Sequence, residues 1–289
     1  MKSILITGSN GLIGHELVNN LKNEHEVYAI SRSMKGNVDG IEYINVNFSE
    51  NWSEEILPKQ IDVIYHLAQS EHFREFPSKS LEIFNVNTSS TLKLLEYGRK
   101  AQCKQFIYAS SGGVYGNAEK GFVEDEPLVN KGNLGFYLST KFCSELLVEN
   151  YNSFFDIVIT RFFFVYGERQ DKSMLIPRLI ENIKNGNEIS LQGNEGIKIN
   201  PIYVTDASKA LSQMIALSKG NYKFNIGGNE ILSLREICET IGELIGKAPK
   251  FKILKEEPKN LIGDISKMKE MLTTPVTSIN SGLSSLLSK

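Results

Sequence analysis

The feature that most constrains this chain is the run Ile4-Leu5-Ile6-Thr7-Gly8-Ser9-Asn10-Gly11-Leu12-Ile13-Gly14. Ile4-Leu5-Ile6 reads as a buried strand, and Leu17, Val18 and Leu21 then recur with helical period. Gly8, Gly11 and Gly14 stand between them at three-residue spacing. Strand, glycine turn and helix in that order make a phosphate cradle. A residue without Cβ lets the backbone bend and an anion come close, and the helix N-terminus offers free N–H groups and the positive end of its dipole. Three glycines alone fit a ligand-free turn equally well, so the rest of the chain has to decide.

Beyond residue 21 the chain alternates. Strands are expected at 26–30, 41–48, 60–68, 104–109 and 156–161, with helical patterns between them through Leu81, Phe84, Leu92 and Leu95 and from Phe136 to Val148. Six strands alternating with helices predict an α/β fold, a Rossmann-like doubly wound parallel sheet. A polar loop is expected up to Gly135. Beyond Gly167 the alternation loosens: a helix over 174–185, short strands at 188–191 and 198–204, a helix over 207–217 capped by Asp206, a strand at 224–226, and a helix from Ser233 to Ile245. With no clean linker, the division expected is a dinucleotide-binding domain over 1–165, receiving segments around 195–227, and a smaller, interleaved substrate-binding domain over 166–289.

Composition narrows the function. In 289 residues, 32 Lys+Arg oppose 34 Asp+Glu for a net charge of −2, so an anion site must be local and a nucleic-acid partner is not expected. No apolar run reaches membrane-spanning length and no signal peptide is visible. Cys103, Cys143 and Cys238 form neither a disulfide framework nor a metal motif, and the four histidines lack metal-ligand spacing. A reducing cytoplasm and no metal are expected.

The chemistry centres on Tyr137 and Lys141, four residues apart at the start of a helix and so on one face. An ammonium near a phenol favours the phenolate and lowers its pKa. Ser111, after the fifth strand, is placed to share a substrate oxygen. The three suit alcohol oxidation or ketone reduction with a nicotinamide, although an exposed Tyr–Lys pair with no role has the same spacing. At the tip of the second strand stands Ser31-Arg32, with no carboxylate for a ribose 2′-hydroxyl. Arg32 there favours NADP over NAD, unless it is only a surface arginine. His66, in an apolar strand, reads as a satisfied core histidine.

Taken together, the motifs resemble the extended short-chain dehydrogenase/reductase family, its NAD-dependent epimerase/dehydratase group acting largely on nucleotide sugars. The resemblance spans nearly the whole chain. It rests on Thr7-Gly8-x-x-Gly11-x-x-Gly14, Asp62 to Ala68, Asn87 followed by Thr91-x-x-Leu94-Leu95-Glu96, Ser110-Ser111-x-x-Val114-Tyr115-Gly116, Tyr137-x-x-x-Lys141, Arg161-x-x-x-Val165-Tyr166-Gly167, Tyr203-Val204-x-Asp206, Asn225-Ile226-Gly227 and Asp264-x-Ser266-Lys267. It implies that Tyr137 is the general acid/base, Lys141 holds the nicotinamide ribose and Ser111 orients the reacting oxygen. It also implies that Gly8, Asn10, Gly11, Leu12, Ile13, Arg32, Asn47, Phe48, Leu67, Ala68, Asn87 and the backbone at Phe163 hold the cofactor, NADP or NAD, and that members pair as homodimers through helices around 80–100 and 137–152.

Departures from the family pattern sharpen this. The acid pair that comes after the serine in sugar-nucleotide dehydratases is Gly112-Gly113 here, which disfavours dehydration. The family's Asn-Val-Tyr-Gly-Pro becomes Phe164-Val165-Tyr166-Gly167-Glu168, and Arg169 remains as a diphosphate ligand or a surface charge. The function expected is an NAD(P)-dependent epimerase or keto-reductase acting at C4 of a nucleotide sugar, with Arg32 favouring reduction. The competing readings are a reductase of small non-sugar carbonyls and a non-catalytic NADP-binding sensor on the same fold.

Overall fold

The computed structural model describes residues 1–116, 120–128 and 134–288. Part of the polar loop expected before Gly135 lies outside the described residues. In chain order the elements are β1 (Ser3–Thr7), α1 (Leu12–Leu21), β2 (Glu26–Ser31), β3 (Gly36–Val38), β4 (Ile41–Asn45), β5 (Val63–His66), α2 (Ser80–Phe84), α3 (Ser90–Lys100), β6 (Gln105–Ser111), α4 (Gly135–Glu149) and β7 (Asp156–Phe162). They continue with β8 (Val165–Tyr166), α5 (Leu175–Asn185), β9 (Glu188–Gln192), β10 (Lys198–Ile199), β11 (Ile202–Tyr203), α6 (Val204–Gln213), β12 (Tyr222–Ile226), β13 (Leu232–Ser233), α7 (Leu234–Ile245), β14 (Lys250–Leu254), α8 (Ser266–Met271) and α9 (Ile279–Leu287).

Eight strands form one sheet in the order β12-β7-β6-β5-β1-β2-β4-β3, parallel throughout except for the short β3–β4 pair. Successive side chains of a strand point to opposite faces, and both faces are covered. Ile4 and Ile6 pack with Leu17, Ala207 and Leu211 of α1 and α6. Leu5 packs with Leu94, Phe106 and Val148 on the side of α3 and α4. A further core joins Ile176, Leu179, Ile189, Ile237, Ile241 and Leu283 from the later elements. From β1 the chain winds one way to β2 and β4 and the other way to β5, β6 and β7. The crevice at the carboxyl ends of β1 and β5 is therefore the topological switch point, where open α/β sheets bind ligands. No helix among the described residues is long and apolar enough to cross a membrane.

Some boundaries differ from the sequence reading. The third expected strand stops at Asn45, and the chain then turns through Asn47, whose Oδ1 accepts the Ser49 N–H at 3.1 Å. Asp206 does not cap its helix. α6 begins at Val204, and the Asp206 carboxylate instead receives the N–H groups of Val276 and Thr277 at 3.1 and 2.8 Å. Ser233 does cap α7, in a reciprocal box with Glu236. Strand β14, paired parallel to β9, has no counterpart among the expected elements: lysines dilute its apolar signal.

Candidate active site

The glycine turn is built for close approach. Gly8 has φ 68°, and a Cβ there would stand 2.9 Å from the Ala68 nitrogen. A Cβ on Gly14 would stand 2.1 Å from the Gly8 carbonyl oxygen. Gly11 precedes α1 and contributes no side-chain cap, so the first N–H groups of that helix face the crevice without one. Two adjoining cavities of about 830 and 550 Å³ meet over this turn, sharing Gly8, Asn10, Gly11, Leu67 and Gln69.

The larger cavity extends over Arg32, Asn47, Phe48 and Ala68, and the smaller over Leu12, Ile13, Ser111, Tyr137, Lys141 and Arg169. Two of the residues expected at the cofactor do not line either. Asn87 is buried in a π-helical turn between α2 and α3; its side chain receives the Ser70 N–H at 2.8 Å and donates to Thr140 Oγ1 at 2.9 Å. It therefore ties the loop after β5 to α4. Phe163, expected to face the nicotinamide through its backbone, is not among the lining residues; its ring packs on Tyr115 and lies within 2.5 Å of where a Gly112 Cβ would stand, while Phe162 and Phe164 line the cavity.

His66 is wholly buried. Thr7 Oγ1 receives the N–H groups of Leu67 and Ala68, so its own hydrogen goes to His66 Nδ1 at 2.8 Å; His66 Nε2–H then reaches Thr91 Oγ1 at 2.9 Å, and Thr91 donates to the Asn87 carbonyl. Burial, and secondarily the Lys141 charge, hold the imidazole down to about 3, so it is a neutral structural link.

Ser111, Tyr137 and Lys141 lie on one cavity wall. Tyr137 is half-buried against Phe73, ring centroids 4.9 Å apart, and its hydroxyl donates to Gln69 Oε1 at 2.8 Å. The Lys141 ammonium lies inside the fold, donating to the Ala109 carbonyl at 2.9 Å and sitting 5.3 Å from the Tyr108 ring centre. The expected lowering of the phenol is not met: burial pushes the Tyr137 phenol up. Burial also pulls Lys141 from 10.5 to about 7, against the opposing pull of Glu145. A lysine only part-charged at neutral pH is a weak electrostatic partner.

The two glycines after Ser111 are sterically fixed. A Cβ on Gly112 would meet the Phe163 ring, and one on Gly113 would stand 2.8 Å from Leu138 Cδ2. At Phe164 φ is 49°, a left-handed backbone that suits asparagine and costs a bulky residue about 1–3 kcal/mol. Arg169, also left-handed at φ 67°, donates to His15 Nε2 at 3.4 Å.

Three neighbours carry no signal in the sequence. Gln69 meets Tyr137. Arg74 crosses the cleft to the Ser173 carbonyl at 3.2 Å. Glu71 grips Arg32, Oε1 to Nη1 at 2.8 Å and Oε2 to Nη2 at 3.0 Å. The guanidinium expected free at the strand tip is therefore already paired.

Comparison with known proteins agrees with this arrangement. The NAD dependent epimerase/dehydratase family profile matches residues 4–227. The chain belongs to that family. It is 29% identical to a putative UDP-glucose 4-epimerase of Methanocaldococcus jannaschii over 84% of this chain and 82% of that one. It is 28% identical to a UDP-N-acetyl-alpha-D-glucosaminuronate decarboxylase of Bacillus cytotoxicus, covering 93% and 91%. Among solved structures, UDP-glucuronic acid 4-epimerase of Bacillus cereus, in complex with UDP-glucuronic acid and NAD, superposes with a TM-score of 0.86 at 27% identity, over 98% of this chain and 96% of that one. These neighbours are extended short-chain dehydrogenases/reductases, and the eight-stranded Rossmann-like sheet is their fold. The cradle suits the dinucleotide that such folds bind: its glycines keep out the Cβ atoms that would fill it, and the α1 N-terminus faces the crevice.

Proposed function

We propose that this protein is a nucleotide-sugar 4-epimerase that uses NAD, with Tyr137 as acid/base. The observation that carries the reading is that Ser111, Tyr137 and Lys141 line the same 550 Å³ cavity as the glycine turn and the first turn of α1. A bound nicotinamide supplies the hydride chemistry at the sugar C4. As a phenolate, Tyr137 would take the proton of the C4 hydroxyl as hydride leaves C4 for the nicotinamide, and would return it when the hydride comes back, which requires its bond to Gln69 to be exchanged for one to substrate. Ser111 orients the same oxygen, and Lys141, released from Ala109, holds the ribose beside the phenol.

The choice of epimerase over keto-reductase follows from Arg32. The case for reduction rested on NADPH drawn by a free guanidinium, and Glu71 occupies that guanidinium. The expectation of NADP gives way in this proposal to NAD, which the Bacillus cereus neighbour binds. Dehydration is disfavoured on steric as well as chemical grounds, since Phe163 and Leu138 fill the space of any side chain at Gly112 and Gly113. Incubation with NAD and nucleotide hexoses should give no 4-keto-6-deoxy product by NMR.

The later core around Ile176, Ile189 and Ile237 forms the substrate side of the cleft, with Arg169 as the diphosphate ligand. Leu81 is 79% exposed, and Phe84, Leu92 and Leu146 are exposed with it, an apolar set on α2, α3 and α4 that suits a second copy of the chain. Three free thiols suit a reducing cytoplasm. The deciding experiment is mass spectrometry of the nucleotides that co-purify: NAD with a UDP- or dTDP-sugar supports the reading, and NADP without any sugar nucleotide overturns it.

A further inference from the structure

The tip of β2 offers little to an adenosine ribose. Ser31 Oγ is already an acceptor three times over, from Asn10 Nδ2 at 2.8 Å, Met34 N at 3.1 Å and Ser33 N at 3.2 Å. The Arg32 carbonyl receives Asn45 Nδ2 at 2.9 Å, which fixes the backbone there. A carboxylate nevertheless stands at this end of the cleft. It comes from the loop after β5, on the opposite side of β1 from β2. Glu71 reaches from that lip to meet the Arg32 guanidinium as a two-point fork, and both residues line the 830 Å³ cavity.

We propose that Glu71 sets the choice of dinucleotide: its carboxylate accepts the ribose 2′-hydroxyl of NAD and, by holding Arg32, refuses the 2′-phosphate of NADP. The proposal rests on the dinucleotide-binding reading of this cavity. Two observations support it, the charges of the lining and the geometry of the fork. Arg32 brings the cavity lining its guanidinium, and the lining sets three carboxylates against it, those of Glu71, Glu82 and Asp171; no lysine or second arginine lines it among the described residues. Lys79 offsets Glu82 at 3.3 Å and Arg74 acts on Asp171, so once a dianionic phosphate takes Arg32 the uncompensated charge beside it is that of Glu71. The fork also uses both terminal nitrogens of Arg32, the same bidentate geometry by which a guanidinium grips a phosphate, so Glu71 and a 2′-phosphate compete for one set of donors. The pair is exposed and individually weak, so its rupture is no great barrier. Discrimination comes from the charge that remains beside the site afterwards. Each carboxylate oxygen keeps a lone pair free for a ribose hydroxyl while the fork is closed.

The test is calorimetric titration of nucleotide-stripped protein with NAD and NADP, without sugar substrate. The wild type should prefer NAD by about tenfold or more, the scale of one charge-assisted contact after screening. Glu71→Gln should raise NADP affinity about tenfold and lower NAD affinity several-fold, bringing the two level or reversing them. Glu71→Lys should shift the ratio further toward NADP. Adding Arg32→Gln to Glu71→Gln should cancel the NADP gain. Equal unfolding midpoints confirm that the exposed pair is not needed for the fold. A wild type that prefers NADP, or a ratio unmoved by Glu71→Gln, overturns the proposal while leaving the epimerase reading to its own test. Failure of the wild type to bind either dinucleotide overturns both.

Discussion

Replacing Lys141 by methionine should make the nucleotide-free protein more stable while abolishing turnover. Lys141 is 2% exposed and sits among Tyr108, Ala109 and Glu145. Its fall from 10.5 to about 7 corresponds to about 5 kcal/mol of destabilisation of the charged form, at about 1.4 kcal/mol per pH unit. Methionine keeps the length and apolar stem and removes the charge, but it also loses the bond to the Ala109 carbonyl, worth about 1 kcal/mol. At pH 7, where the folded lysine is about half-charged, the net gain is then about 3 kcal/mol. The pH dependence carries a sign. Between about 7 and 10.5 the unfolded chain holds the Lys141 proton and the folded one does not, so stability rises with pH through that window. From pH 7 to 8.5 the wild type should gain about 2 kcal/mol that the variant lacks. The buried thiols of Cys103 and Cys238, raised from 9.0 to about 12, bring an opposite slope above that range, and His66, at about 3, contributes below it. Urea unfolding at the two pH values measures the difference directly. A variant less stable than the wild type at pH 7, or one with the same pH dependence, would refute the reasoning.

Tyr137→Phe should keep NAD affinity within about twofold and lower turnover by roughly 10²-fold or more, the loss expected of a missing acid/base; calorimetry and a coupled rate assay check the two halves. Glu145→Ala should cost about 3–5 kcal/mol in urea unfolding, because it leaves Arg161, 1% exposed and bonded at 2.7 Å to Glu145 Oε2, as a buried charge without its counter-ion. Leu81→Arg combined with Leu92→Arg should convert a dimer to a monomer in sedimentation velocity without lowering the unfolding midpoint, since both side chains are exposed in the isolated chain.

The sheet was legible because its signals are local. A strand, a glycine turn and a helix occupy adjacent residues, and the alternation after them leaves few topologies. Tyr137, Lys141 and Ser111 were legible for the same reason, each being defined by its spacing within a motif. Other features stayed hidden because they depend on parity or on distance. At the end of β7 a shift of one residue decides which of the three phenylalanines lines the cavity with its side chain; these are Phe162 and Phe164, whereas the expectation concerned only the backbone at Phe163. The resemblance placed Asn87 at the cofactor, and its side chain joins the loop after β5 to α4. Glu71 and Arg32 are 39 residues apart and meet only because β5 and β2 both flank β1. The burial that raises the Tyr137 phenol and pulls Lys141 down is a property of the packed fold that spacing does not encode.

The central claim is C4 epimerisation through Tyr137. Its most direct test is proton NMR of a UDP-hexose or UDP-hexuronic acid incubated with the purified protein and catalytic NAD, with absorbance at 340 nm followed in parallel. Epimerisation predicts a mixture of the two C4 epimers, no net accumulation of reduced nicotinamide, and no conversion with Tyr137→Phe. A single oxidised or reduced product formed in step with nicotinamide consumption, or undiminished conversion by Tyr137→Phe, would contradict it.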